Sequence, residues 1–224
     1  MEGPQHALAF AVSSTPNVQR PTPNVQFRIR IRRSAFDIRP LFSSIKVGRA
    51  CAPTSYLPPF ILTSMQIQVG IITISDRASA GQYDDLGGPA LKGAAQKNGW
   101  QILAEALVPD DTARIQEAIR SLSQQGCGLI LTTGGTGVGP RDVTPEAIRA
   151  IMRVEIPGFG EVMRAESMKI TPNAILSRSL AAIVDLSLVI ALPGKPSGAV
   201  ECLGFIAGAI PHAVALAQRA PTSC

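Results

Sequence analysis

The stretch that decides the fold is Gly128-Leu129-Ile130-Leu131-Thr132-Thr133-Gly134-Gly135-Thr136-Gly137. Its first half is short, apolar and β-branched, the composition of a strand covered on both faces. Its second half strips the chain of side chains just where that strand must end. A buried strand that runs straight into a glycine loop and then towards a helix start describes the carboxyl edge of an α/β sheet. Main-chain N–H groups there can approach an anion closely, and the following helix dipole favours negative charge. The loop lacks the G-K-[ST] of a Walker A sequence and does not follow G-x-G-x-x-G. From the loop alone, a phosphate cradle and a bare tight turn are equally good readings.

Working outward, the same texture repeats. Residues 66–75 (Q-I-Q-V-G-I-I-T-I-S) predict a first buried strand, and residues 101–108 a second, stopped by Pro109. A helix is expected over 85–98, closed by Gly99, and another over 112–125, where Ile115, Ala118, Ile119 and Leu122 share one face. Thr144 is expected to cap a helix that has Pro145 at its first position. Pro157 and Gly158 mark a break before a helix over 160–169. Residues 187–192 form the last predicted strand, followed by Pro193-Gly194-Lys195-Pro196 and one long helix to about residue 218. Strands alternating with helices predict a three-layer α/β/α sandwich with a mainly parallel central sheet. Ligands in such sheets bind beyond the carboxyl ends of the strands. That rule selects the loops at 76–86, 109–111, 134–142 and 193–197.

These loops carry the acids and cations that matter. Asp142 follows Arg141 and precedes the Thr144-Pro145 helix start, and Asp110 follows Pro109 at another strand end. Each alone is well explained as an acid at a helix start. Together, flanking a glycine loop, they also suit Mg²⁺, a cation held by one or two carboxylates plus substrate phosphates. Ser75 and Asp76 end the first strand, where Asp76 could simply fix the turn. Ser177, Arg178 and Ser179 offer two hydroxyls and a guanidinium, suited to an oxyanion or to a solvated turn. Lys195 reads equally as a phosphate contact or an exposed lysine, and Cys127 and Cys202 as core residues.

Composition removes other classes. The 224 residues are 46 % hydrophobic and 17 % charged, so a packed core is expected and wholesale disorder is not. Four scattered cysteines and two histidines exclude a disulfide scaffold, a CxxC zinc site and a histidine-rich metal centre. With one Trp and few other aromatics, no base-stacking platform for RNA is expected. The first strand lacks the glycine fingerprint of a dinucleotide oxidoreductase. Residues 198–217 are long enough to span a bilayer, but Glu201 and Pro211 interrupt them and no basic cluster flanks them, so a helix of the domain is expected.

The formal charge of +5 is uneven. Residues 1–64 hold eight Lys/Arg, two acids, eight of the 18 prolines and a tandem Thr-Pro-Asn-Val-Gln. They form a basic, proline-rich extension, expected to be largely disordered, ahead of a domain over 65–220. Upstream sequence with Met65 as the true start is the favoured explanation. An organelle transit peptide comes second, and a nucleic-acid-binding arm third.

The segments V-G-I-I-T-I-S-D-R-A-S-A-G, V-P-D-D, L-T-T-G-G-T-G-V-G-P-R-D-V-T-P-E-A, P-G-F-G-E-V-M-R, K-I-T-P-N-A-I-L-S-R-S and L-P-G-K-P-S-G-A-V-E-C occur in that order. In this the chain resembles the molybdopterin adenylyltransferases, bacterial enzymes similar to the G domain of gephyrin, from about Val69 to about Leu216. The resemblance implies transfer of AMP from Mg-ATP to the terminal phosphate of molybdopterin, with release of pyrophosphate, in molybdenum cofactor biosynthesis. It implies Asp110 and Asp142 as the residues needed for activity and for Mg²⁺. Substrate contacts would fall at Ser75, Asp76, Thr133, Gly134, Gly135, Thr136, Gly137, Arg141, Ser177, Arg178, Ser179, Pro193 and Gly194. It further implies a cytoplasmic homotrimer that passes its product to a molybdenum-inserting partner protein, with neither nucleic acid nor membrane involved. Two other readings remain: a non-catalytic pterin-binding module, and a nucleotide pyrophosphatase on the same fold.

Overall fold

A computed structural model describes residues 66–219; the questions raised by residues 1–64 lie outside the described residues. Six strands form one sheet: β1 (Gln68–Ile74), β2 (Gln101–Val108), β3 (Leu129–Thr133), β4 (Val154–Glu155), β5 (Leu180–Val184) and β6 (Ser187–Leu192), in the order β2-β1-β3-β6-β5-β4. The first three pairings from β2 are parallel, and β5 and β4 add an antiparallel edge. The architecture is therefore the expected three-layer α/β/α sandwich, with a mixed rather than purely parallel sheet.

Strand periodicity explains the layers. Successive side chains point to opposite faces. Val69 and Ile71, Leu129 and Leu131, and Leu188, Ile190 and Leu192 pack on one face with helices α2 (Gly87–Lys97), α5 (Pro157–Met168), α6 (Pro196–Ile206) and α7 (Ile210–Ala217). Ile72 and Ile74, Ile130, Val189 and Ala191 pack on the other with α3 (Thr112–Gln124) and α4 (Thr144–Arg149). Gly70 lets α3 come close: a Cβ there would lie 2.8 Å from Leu122 Cδ1.

Four expectations are corrected. A one-turn helix, α1 (Asp76–Ser79), follows β1, capped by the Ser75 hydroxyl. Thr144 does not cap α4; Val143 holds that position and the Thr144 hydroxyl donates to the Gly134 carbonyl at 2.9 Å. Pro157 opens α5 rather than breaking the chain, since its missing N–H costs nothing in a first turn. The long last helix is two, because Pro211 and the short 3₁₀ turn Ala207–Ala209 part α6 from α7. By length and composition alone, the stretch Pro196–Ala217 could cross a membrane. Ala199, Cys202, Leu203, Ile206, Ile210, Val214 and Ala217 nevertheless form one face packed into the core.

Candidate active site

The carboxyl ends of β1, β2 and β3 meet at a cavity of about 480 Å³. Of the residues expected from sequence, Ser75, Asp76, Asp110, Thr133, Gly134, Gly135, Arg141, Asp142 and Gly194 line it. Thr136, Gly137, Ser177, Arg178, Ser179 and Pro193 are not among the residues that line it. Sequence reasoning selected the loop at 76–86 and its Asp76 but missed two further acids: Asp84 and Asp85 also line the cavity, with Thr73, Arg77 and Tyr83. The run Asp85-Leu86-Gly87-Gly88 held the missed signal. Asp85 accepts from the Gly88 N–H (3.0 Å) and the Thr73 hydroxyl (2.8 Å), so it fixes the start of α2 beside the cavity.

The glycine loop is shaped by close approach. Gly134 has φ +110°, and a Cβ there would lie 2.1 Å from the Ile74 carbonyl oxygen. Gly135 has φ +61°, and a Cβ there would meet Thr144 Oγ1 at 2.5 Å and Asp110 Oδ1 at 3.0 Å. Only glycine fits both constraints. The bend is pinned on its far side by the Thr144 N–H, which donates to the Gly135 carbonyl at 3.1 Å. Thr133 donates to the Pro193 carbonyl at 2.7 Å and so ties the loop to the end of β6.

The two carboxylates arrive from different directions. Asp110 is fixed by exchange with Asp76: each backbone N–H donates to the other's carboxylate at 3.0 Å. The free oxygen of Asp76 is paired with Arg141. Asp142 folds back on its own loop, accepting from the Gly139 N–H at 2.8 Å. Burial first, and the charge of Asp142 second, hold the Asp110 carboxyl above its ordinary pKa of 3.8. Two like charges that disturb each other across one cavity form an arrangement a divalent cation relieves. Five aspartates (Asp76, Asp84, Asp85, Asp110 and Asp142) face two arginines there, so a polyphosphate would meet repulsion without such a cation. No group of three or more His, Cys, Asp or Glu converges as a metal cage among the described residues. The donor set thus suits Mg²⁺ shared with a substrate phosphate rather than an all-protein metal site.

Arg178, flanked by Ser177 and Ser179, is bonded to the glycine loop. The Arg178 N–H donates to the Thr136 carbonyl (2.9 Å) and its Nε to the Gly137 carbonyl (2.6 Å). Nη2 donates to the Asp142 carbonyl and Nη1 pairs with Glu146. The Ser177 hydroxyl donates to that of Ser179 at 3.0 Å.

An α/β/α sandwich whose strand ends bring a glycine bend against paired carboxylates belongs to the class of α/β domains with a ligand cavity at the carboxyl edge of the sheet. Within that class the assignment is specific. Residues 70–212 match the family model described as a probable molybdopterin binding domain. The chain is 43 % identical over 161 residues to the molybdopterin adenylyltransferase of Helicobacter pylori, covering 67 % of this chain and 87 % of that protein. It is 40 % identical over 165 residues to gephyrin of Dictyostelium discoideum, covering 69 % of this chain but 23 % of gephyrin. Among solved structures, the molybdopterin biosynthesis enzyme MoaB of Thermus thermophilus superposes with a TM-score of 0.66 at 38 % identity, over 70 % of this chain and all of that one. The chain belongs to the molybdopterin-binding domain family of molybdenum cofactor biosynthesis.

Proposed function

We propose that this chain is a molybdopterin adenylyltransferase. The observation that carries the reading is the shared cavity, in which Asp110 and Asp142 stand against the Gly134–Gly135 bend with room for a nucleotide phosphate chain. The 43 % identical relative from Helicobacter pylori is a molybdopterin adenylyltransferase, which supports the reading. In the reaction, an oxygen of the pterin's terminal phosphate attacks the α-phosphorus of ATP. A new P–O–P bond forms, the bond to the bridging oxygen breaks, and pyrophosphate leaves with the electron pair. The attacking oxygen is already anionic, so no strong general base is required, in keeping with a lining that has no histidine among the described residues. Positioning and charge neutralisation supply most of the catalysis.

The chain's own groups divide that work. Of the loop at 134–137, the Gly134–Gly135 bend lines the cavity and receives a phosphate. Arg141, largely exposed at the cavity, offers a guanidinium to the phosphates in exchange for Asp76. Asp110 and Asp142 would hold Mg²⁺, which when bound neutralises charge on the triphosphate and the departing pyrophosphate. We further propose a cytoplasmic homotrimer that hands its product to a molybdenum-inserting protein. Exposed apolar side chains at Ile170, Ile175 and Leu176, beyond α5, support a self-associating surface.

Single-turnover mixing with molybdopterin and Mg-ATP tests the assignment. The expected result is pyrophosphate release stoichiometric with adenylylated pterin, abolished by Asp142→Asn. ATP breakdown without any pterin acceptor would instead identify a pyrophosphatase. Tight pterin binding without pyrophosphate release would identify a binding module.

A further inference from the structure

The loop at 137–142 presents Asp142, yet little apolar packing holds it. Val138, Gly139, Pro140 and Arg141 are all exposed, with Val138 at 65 %. Its internal closure is one reciprocal pair: the Asp142 N–H donates to the Gly139 carbonyl (3.0 Å), and the Gly139 N–H to the Asp142 carboxylate (2.8 Å). That pair shapes the loop but does not fix it to the domain. Two side chains tie it to the rest of the domain: Arg141, from within the loop, pairs with Asp76, and Arg178 reaches in from outside. Arg178 grips the carbonyl at one end of the loop, Gly137, through Nε, and the carbonyl at the other end, Asp142, through Nη2. Its own main chain is bound to Thr136, and its remaining arm is paired with Glu146 of α4. One planar, permanently charged fork therefore spans both ends of the loop, from a segment that leads directly into buried β5.

We infer that Arg178 is a positioning residue for the reaction, acting through the main chain of the 137–142 loop to hold the Asp142 carboxylate against Asp110. This rests on the role proposed above for Asp142. It assigns Arg178 a different task from the oxyanion contact its residue type suggests.

Arg178→Lys tests the inference, because lysine keeps the charge but cannot bridge two carbonyls. The expected result has two parts. Turnover falls roughly 10–100-fold, the usual loss when a group supporting a ligand is removed, while KM for molybdopterin stays within about twofold of the unmodified enzyme. Hydrogen exchange quickens locally at the Gly139, Asp142 and Thr144 amides and not in β1, β3 or β6. A raised KM with turnover retained would overturn the inference in favour of a direct contact to the pterin phosphate. Unchanged kinetics and exchange would overturn it outright. A lowered melting temperature with faster exchange throughout the sheet would reduce Arg178 to a fold-stabilising role. If Arg178→Lys does not fold, Glu146→Gln, at an exposed position, is expected to show the same signature at smaller size, and its absence overturns the inference. Retained AMP transfer in Asp142→Asn would refute the role of Asp142 itself. The exchange measurement then still decides whether Arg178 braces the loop.

Discussion

Asp76 and Asp110 bind each other's main chains: the N–H of each donates to the carboxylate of the other, both at 3.0 Å. The exchange closes the carboxyl ends of β1 and β2 into one unit and leaves Asp110 Oδ1 beside the Gly135 bend. Asp76→Ala removes the acceptor for the Asp110 N–H. It should lower stability by about 1–3 kcal/mol, the cost of an orphaned, partly buried donor, and reduce AMP transfer by freeing the Asp110 side chain. Asp76→Asn keeps an acceptor oxygen and should lose less than half as much. Urea denaturation midpoints check the first effect, and an alanine variant as stable as the parent would refute it.

The raised pKa of Asp110 makes stability depend on pH in a stated direction. Burial and the neighbouring Asp142 charge both penalise its ionised form. Between 3.8 and the higher folded value, the folded state binds more protons than the unfolded state. This group's contribution is therefore complete below 3.8 and is lost as pH rises through the folded pKa. Asp110→Asn removes that loss. Without divalent cations, its melting temperature should gain on the parent as pH is raised from about 3.5 to 6.5. Parallel melting curves across that range would contradict the assignment.

How much of this was legible beforehand depends on the physical signal. β1, β3 and β6 are runs of buried apolar residues, and they were readable because strands covered on both faces tolerate little else. β5 (L-A-A-I-V) was missed: its alanines carry weak strand preference, and its two-residue turn to β6 is Asp185-Leu186, not an Asn-Gly signal. Asp185 takes φ +51° there, a conformation aspartate tolerates but does not advertise. The shared cavity of Asp110 and Asp142 followed from the rule for strand ends. The Asp76–Asp110 exchange did not, because it depends on side-chain geometry 34 residues apart in sequence. Arg178 shows the same limit. Residue type points to an anion contact, and only the fold shows the guanidinium turned towards main-chain carbonyls.

The glycines of the active loop should separate stability from activity. Gly134→Ala places a methyl 2.1 Å from the Ile74 carbonyl at a φ of +110°, so β1 and β3 must part at their ends. A loss of about 1–3 kcal/mol is expected from the backbone strain alone, with activity falling in step. Gly139→Ala has no unfavourable φ. Its methyl would lie 2.8 Å from Asp142 Oδ2, which can swing aside. Stability should hardly change while AMP transfer drops at least tenfold. Thermal melting paired with initial rates checks both, and a Gly139→Ala enzyme of full activity would show that the position of Asp142 is not critical.

The described core runs from Ile67 to Ala217, and the cavity from Thr73 to Pro196. Asp110, Asp142, the glycine loop and this core all lie after Met65. A chain starting there should keep the melting temperature of the full chain to within about 2 °C, a shift corresponding to well under 1 kcal/mol for a domain of this size. It should also transfer AMP at the same rate, since Asp110, Asp142 and the glycine loop are all retained. Salt dependence gives a sharper reading. Removing residues 1–64 takes away eight basic and two acidic side chains. If those charges steered the anionic substrates, the shortened chain would show a lower kcat/KM at low ionic strength, converging with the full chain as salt is added. The expected outcome is coincident curves at every ionic strength, because the cavity lies at the strand ends and carries its own arginines. A gap that closes with salt would give the extension a part in substrate capture.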